Sequence, residues 1–212
     1  MTADASSLEA TLAAALDARA DLLAGDSRHV GAWRLLAGFY EGVPELAVDA
    51  YGRTLLVHDH AEPPAGGALV ERAVAFYREA LPWLDAVVVK PRRAADAEAR
   101  RGVLLAGGPP AREVREDGIR YAVDLLALRD AGLYLDTRGL RSWLRAEMAG
   151  LSVLNCFAYT GSLGVAALAG GARRVVQLDA SRTVLNVAKT SYTLNGLPIR
   201  KPDFVQADFW VA

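Results

Sequence analysis

The chain has 212 residues, 52% of them hydrophobic, which is enough for one large domain or two small ones with a real core. Lys and Arg number 24 against 25 Asp and Glu, so bulk charge makes no case for nucleic acid, and any RNA contact would have to come from a local patch. A single cysteine, Cys156, excludes an internal disulfide, and neither a basic n-region before an apolar run nor a membrane-length stretch is found, so the expectation is a soluble, cytoplasmic protein without a membrane partner.

Residues 6–24 read as one helix, with Ser6 and Glu9 as a capping box, Leu8, Leu12, Leu16, Leu22 and Leu23 on roughly one face, and Gly25 and Asp26 as the stop. From Glu45 the pattern changes to a hairpin, "ELAVD", "AYGR", "TLLVHDH", with glycine in the turn. "EPPAGG" is a loop, 68–81 a second helix with Pro82 beyond it, and "AVVVK" at 86–90 a short buried strand. Strands and helices do not alternate regularly here, so this half is α+β and not a dinucleotide fold. The run 90–101 then concentrates Lys90, Arg92, Arg93, Arg100 and Arg101. It suits a solvated helix or loop near a domain boundary, or a basic strip that meets a phosphate backbone. "REVREDGIRYAVDLL" is a hairpin turning at Asp117-Gly118. "GLYLDTRGLRSWLRAEM" runs through Asp136 into a helix from about Leu140.

The chemistry concentrates in "VLNCFAYTGSLGVAALAGGARRVVQLDAS", from Val153 to Ser181. "LSVLN" is the apolar run of a buried parallel strand. The loop beyond it must bring its backbone close to a ligand, and the following helix points its positive end there. Gly164, Ala166, Ala167, Ala169 and Gly170 keep that helix thin enough to lie close to the sheet. "RRVVQLD" is the next strand, and Asp179, about 18 residues past Gly161, is placed to accept both ribose hydroxyls of an adenosine. A dinucleotide fingerprint needs Gly-x-Gly-x-x-Gly, but aligning Gly161 and Gly164 with its last two glycines puts Tyr159 at the first. A tyrosine there would crowd a pyrophosphate. S-adenosylmethionine carries no phosphate, so it is the expected cofactor; a nicotinamide or flavin dinucleotide, or an αβ core with no ligand, stays open.

These segments, with "VLNVAKTSYTLNGL" and "FVQADFW", resemble the class I methyltransferase domain of the bacterial 23S rRNA large-subunit methyltransferase family. Asn155, Phe157, Tyr159, Thr160 and Gly161 match its first motif, Asp/Asn-x-Phe-x-Tyr-Thr-Gly; "GLYLDTRGLR" is similar to its Lys-Thr-Gly-aromatic-aromatic-Leu-Asp-Gln-Arg segment, and "GFYEGVPELAVDAYGRTLLV" to the start of its middle domain. The resemblance implies an α/β protein: a helix plus an α+β middle domain over 1–110, then over 111–212 a hairpin linker and the N-terminal half of a Rossmann-like S-adenosylmethionine-binding domain. It places the 155–161 loop around the methionine and sulfonium, Asp179 on the ribose with Ser181 beside it, and Asp208 at the adenine amino group with Phe209 stacking on the ring. Asp136, Arg138 and Arg141 would border the methionine carboxylate. Each has a plainer reading: Asp179 and Asp208 as strand-end caps, Arg138 and Arg141 as surface charges, Tyr159 as packing, Cys156 as structural.

The sequence departs from the family in lacking its RNA-binding PUA domain, in Asp130-Ala131 for Lys-Thr, in Thr137 for Gln, and in stopping before the Asp-Pro-Pro loop that lines the acceptor pocket. Three strands of seven are expected in the catalytic half, with an unpaired edge and an uncovered apolar face that favour self-association as a homo-oligomer. The function implied is S-adenosylmethionine-dependent methylation of RNA, an rRNA base, with no metal and with acceptor machinery missing from this sequence. A non-catalytic RNA- or partner-binding remnant and a small-molecule methyltransferase are the alternatives.

Overall fold

The computed structural model describes residues 5–62 and 66–210, with the side chains of 5–7 and 66 outside that description. The Ser6 half of the expected capping box therefore lies outside the described side chains. The chain forms two compact units, Met1–Ala111 with Leu125–Arg129, and Arg112–Asp124 with Asp130–Ala212.

The first unit is a five-stranded sheet in the order β1-β2-β3-β4-β5. Its strands are β1 (Ala32–Leu36), β2 (Leu46–Tyr51), β3 (Thr54–Asp59), β4 (Ala86–Pro91) and β5 (Val103–Gly107). All neighbours are antiparallel except β3 and β4, which run parallel because α3 (Gly66–Ala80) carries the chain between them. Val48, Ala50, Leu55, Val57 and Val87 on one face pack with Leu8 and Leu12 of α1 (Ala5–Asp17) and with Ala73 and Tyr77 of α3. The other face carries Asp49, Leu56, His58, Val88 and Lys90, all buried. Against it comes the returning segment Leu125–Arg129, whose Leu126 carbonyl accepts from Gly102 N at 3.0 Å.

Three elements differ from the sequence reading. The 6–24 helix is two helices, α1 and α2 (Ala20–Ala24). At the break Arg19 donates through Nη1 to Ala15 O and through Nε to Arg34 O, both at 2.7 Å, so its side chain ties the helix to β1. β1 was missed because five residues between Gly31 and Gly38 are too short to show a period. β5 was hidden by the Gly-Gly-Pro-Pro that begins at its last residue, and of the helix or loop expected for the basic run the structure shows turns from Arg92 to Arg101 after Lys90 in β4.

The second unit opens with the expected hairpin, β6 (Glu113–Glu116) and β7 (Ile119–Ala122), turning through Asp117 and Gly118, both with positive φ. Its sheet has three parallel strands in the order β10-β9-β8: β8 (Ser152–Cys156), β9 (Arg174–Asp179) and β10 (Phe204–Gln206). The connecting helices are α5 (Ser162–Ala169) and α6 (Arg182–Leu194), and α4 (Arg138–Glu147) precedes β8. Val153 and Val175 pack with Leu144 of α4 and Ala167 of α5 on one face. Their neighbours on the opposite face, Leu154 and Val176, are left 61% exposed and half-buried.

Close approach of α5 to the sheet rests on glycine. A Cβ at Gly164 would collide with the Gln177 side chain, and one at Gly170 with the backbone of Arg145. The hairpin is held by ions and amides. Arg141 is 1% exposed and makes a bidentate pair with Glu116, Nε to Oε1 at 2.7 Å and Nη2 to Oε2 at 2.8 Å. Arg138 donates to Glu116 Oε2 at 2.9 Å. From α6, Ser191 Oγ accepts from Ala122 N and Asn195 Oδ1 from Arg120 N, each at 2.9 Å.

Candidate cofactor site

The carboxyl ends of β8, β9 and β10 meet at one edge of the second unit, where a doubly wound fold places its ligand. The loop after β8 has an unusual backbone. Phe157, Tyr159 and Gly161 have φ of 54°, 51° and 73°. Two bulky aromatics in the left-handed region are strained, and such strain persists only where the surroundings impose it. The surroundings are on hand. Ala158 N donates to Leu178 O at 2.9 Å, Tyr159 N to Asp179 Oδ2 at 2.8 Å, and Gly161 N to Ala158 O at 2.7 Å. Phe157 is 66% exposed, whereas Tyr159 turns inward with its ring 5.2 Å from that of Tyr134. The Tyr159 hydroxyl is buried with no hydrogen-bond partner among the described residues, and burial pushes its ionisation well above the usual tyrosine range.

Beneath the loop lies a polar ladder that sequence reasoning did not find. Gln177, fully buried, is the register partner of Asn155. It accepts from Asn155 Nδ2 at 2.7 Å, and its Nε2 donates to Gly161 O and to Tyr192 Oη, both at 3.1 Å. A buried polar residue in the apolar run "RRVVQLD" was the available signal, since such a side chain must find partners.

Asp179, half-buried, accepts from Tyr159 N at Oδ2 and from Ser181 N at Oδ1, each at 2.8 Å. Each carboxylate oxygen has a second lone pair, so two further donors can be taken. Asp208 lies two residues beyond β10, exposed, with Oδ1 accepting from Trp210 N at 2.9 Å. Phe209 packs its ring 5.1 Å from Phe157, joining the ends of β8 and β10.

The remaining expected residues divide in the same way. Asn155 and Thr160 are buried, and the Thr160 hydroxyl donates to Gly132 O. Ser181 is half-buried at the start of α6, and Asp136 is exposed. Arg138 and Arg141 turn to Glu116, and Arg141 also donates to Tyr134 O and Thr137 Oγ1, both at 2.7 Å. Arg141 is not a surface charge: its guanidinium is buried, and it is stable there because Glu116 neutralises it. Cys156 is half-buried at the end of β8.

In the first unit the basic run is occupied with its own chain. Lys90 is fully buried and donates to Leu128 O at 2.6 Å, so it is not part of an exposed strip. Arg92 donates to Arg129 O, Arg93 to His60 O and Glu62, Arg100 to Ala94 O and Ala95 O, and Arg101 to Glu98. No group of three or more metal-ligating side chains occurs among the described residues, and no helix among them is long and apolar enough to cross a membrane.

Residues 84–211 match the family model for S-adenosylmethionine-dependent methyltransferases. The chain belongs to that family. S-adenosylmethionine is the cofactor of this methyltransferase family, and the loop fits it. A diphosphate site aims free backbone amides at its ligand, whereas here the amides of 158, 159 and 161 are all bonded within the protein. Among curated relatives are two proteins named ribosomal RNA large subunit methyltransferase I. The one from Photobacterium profundum is 36% identical over 198 residues, 92% of this chain and 49% of its own length. The one from Erwinia tasmaniensis is 32% identical over 186 residues, 85% and 46% respectively. The chain thus spans about half the length of the curated relatives it matches. Among solved structures, a Streptococcus mutans chain assigned as an S-adenosylmethionine-dependent methyltransferase superposes with a TM-score of 0.85 at 23% identity, over 100% of this chain and 54% of that one. An Agrobacterium tumefaciens methyltransferase gives 0.54 at 21%, over 77% and 50%. Both likenesses speak to the class I methyltransferase fold.

Proposed function

We propose that the second unit binds S-adenosylmethionine at the strand ends, as the donor half of an enzyme that methylates RNA. The single observation that carries the donor reading is the loop 157–161, whose amides at Ala158, Tyr159 and Gly161 are bonded within the protein while Asp179 keeps acceptor capacity at its mouth. Asp179 holds the ribose hydroxyls, with Ser181 beside it. Phe157 and Phe209 form an apolar wall for the adenine, and Asp208 takes its amino group. Asp136, Arg138 and Arg141 border the methionine carboxylate, Asp136 exposed and the two arginines paired with Glu116. Asn155, Tyr159, Thr160 and Gly161 act from below, holding the loop in shape. The cofactor brings an already activated methyl group, so the protein's part is to hold donor and acceptor in line and exclude water. RNA as acceptor is supported by the relatives named for ribosomal RNA, and the acceptor base is outside what these residues carry.

The reading is tested by calorimetric titration of the purified chain with S-adenosylmethionine, S-adenosylhomocysteine and NAD. Binding of the two adenosyl amino acids and not of NAD is expected. Asp179→Ala removes the ribose acceptor and the anchor of Tyr159 N together, and should weaken binding at least tenfold, about 1.4 kcal/mol. NAD binding with no adenosyl binding overturns the proposal.

A further inference from the structure

The three parallel strands of the second unit carry their acids at one end and cations at the other. β9 begins at Arg174, with Arg173 just before it, and Arg200 and Lys201 stand in the turn that leads into β10. All four are exposed. Strand register sets Ser152 of β8 beside Arg174, and Arg173 Nη2 donates to Ser152 Oγ at 3.1 Å. Arg174 Nε pairs with Asp203 Oδ1 at 2.8 Å, which ties the start of β9 to the turn before β10. Lys189 of α6 reaches the same end, its ammonium 5.3 Å from the ring of Phe204, the first residue of β10. The cations therefore follow one edge across strands about 5 Å apart.

Little cancels this charge. From residue 180 to 202 the sequence has no acid, whereas it has Arg182, Lys189, Arg200 and Lys201. Asp203 is 7% exposed and is occupied with Arg174. Glu147, exposed at the end of α4, makes no ion pair with Arg173, Arg200 or Lys201 among the described residues. Asp179 and Asp208 lie at the far ends of their strands. The edge is also held in shape. Pro198 and Pro202 fix φ on either side of Arg200 and Lys201, and Asp203 N donates back to Arg200 O at 2.9 Å. Little backbone entropy is lost when such a turn meets a partner.

We infer that this amino edge docks the phosphate backbone of RNA. This rests on RNA being the acceptor class. Phosphate contacts need cations without competing carboxylates, and they need no pocket. The acceptor itself brings a polyanion to this unit, so the surface calls for no further partner. The six residues of β9 put the edge about 20 Å from Asp179. The contact is therefore with a stretch of the substrate remote from its reacting base, which it holds and orients without touching the methyl group. The first unit offers no equal: the guanidinium groups of its 92–101 run are bonded to their own chain.

The test uses the full chain and a fluorescein-labelled stem-loop RNA, with anisotropy read at several salt concentrations. Arg200→Gln/Lys201→Gln alters exposed side chains, so its melting temperature and its S-adenosylhomocysteine affinity should match the parent. Two lost phosphate contacts should weaken RNA binding roughly 25- to 60-fold at about 0.1 M salt and make the slope of log affinity against log salt shallower by about 1.5 to 2. Arg173→Gln alone should give about half that change in slope. Arg28→Gln/Arg78→Gln removes two exposed charges from the first unit and should leave both readings near the parent's. A loss of the same size in that control assigns the effect to net charge and overturns the surface. Unchanged affinity in the Arg200/Lys201 and Arg173 variants overturns the surface and leaves RNA as acceptor standing. A parent that binds no RNA overturns both, while the S-adenosylhomocysteine titration judges the cofactor separately. Displacement of the labelled RNA by polyglutamate or by phosphatidylserine vesicles more readily than by unlabelled RNA, at equal anion concentration, overturns RNA as the occupant.

Discussion

The five-stranded and three-stranded sheets of this chain are written in similar letters and end in different surroundings. "TLLVHD" in β3 and "SVLNC" in β8 both read as buried strands, yet β3 is buried through its first five residues, while β8 has Leu154 in the open. The difference is a layer. In the first unit helices cover one face and the returning 125–129 segment lies against the other. In the second, the described helices pack where Val153, Val175 and Gln177 point, and Leu154 and Val176 face the other way. An apolar run states that a strand can be covered on both sides, and it takes a second layer to do so.

The comparison can be broken by paired truncations. Leu55→Ala, at a fully buried site, should cost about 2–5 kcal/mol in urea unfolding. Leu154→Ala should cost less than about 0.5 kcal/mol and should reduce self-association in light scattering. Equal costs would mean that β8 is covered on both faces in solution. The next effect lies in the polar ladder. Gln177→Leu strands Asn155 Nδ2, Gly161 O and Tyr192 Oη, and should cost about 1–3 kcal/mol for a buried group left unpaired. Because Gly161 is one of the released groups, binding of S-adenosylhomocysteine should weaken beyond what the loss of folded protein explains.

Much of the second unit was legible in the sequence because β8 and β9 are each followed within a few residues by a helix, and the turn residues Gly161, Asp117 and Gly118 stand where the backbone needs them. The hairpin, the thin helix and the acid at the end of β9 all follow from local chemistry. Side-chain partners did not. Arg141 and Glu116 are 25 residues apart, and nothing local marks them as a pair. The Tyr159 argument reached S-adenosylmethionine by way of bulk at the loop mouth. The ring in fact packs inward on Tyr134, and what speaks against a diphosphate is the bonding of the Ala158, Tyr159 and Gly161 amides within the protein. The return of Leu125–Arg129 to the first unit left no mark, since it has no periodicity of its own.

The smallest expected effect is alkaline. Burial is the main cause pushing Tyr192 up to about 12, with the Gln177 amide acting the other way. The folded state therefore keeps this proton while the unfolded chain loses it above its ordinary value near 10. Stability is independent of Tyr192 below pH 10 and falls as pH rises from about 10 to about 12. Urea midpoints at pH 9 and 11 should show that fall, and Tyr192→Phe should make it smaller, with Tyr77, Tyr121 and Tyr159, also pushed up by burial, supplying the rest.

The thread between the units crosses more than once. It leaves the first at Ala111, makes the β6–β7 hairpin in the second, comes back for Leu125–Arg129, and crosses again at Asp130. No single cut yields two whole pieces. A fragment ending at residue 111 would leave the Lys90 ammonium in its pocket without the Leu128 oxygen, and Gly102 without that of Leu126. Dissection of this protein should therefore graft 125–129 back onto the first piece by a short linker, or the severed half will carry a buried cation that has lost one of its acceptors.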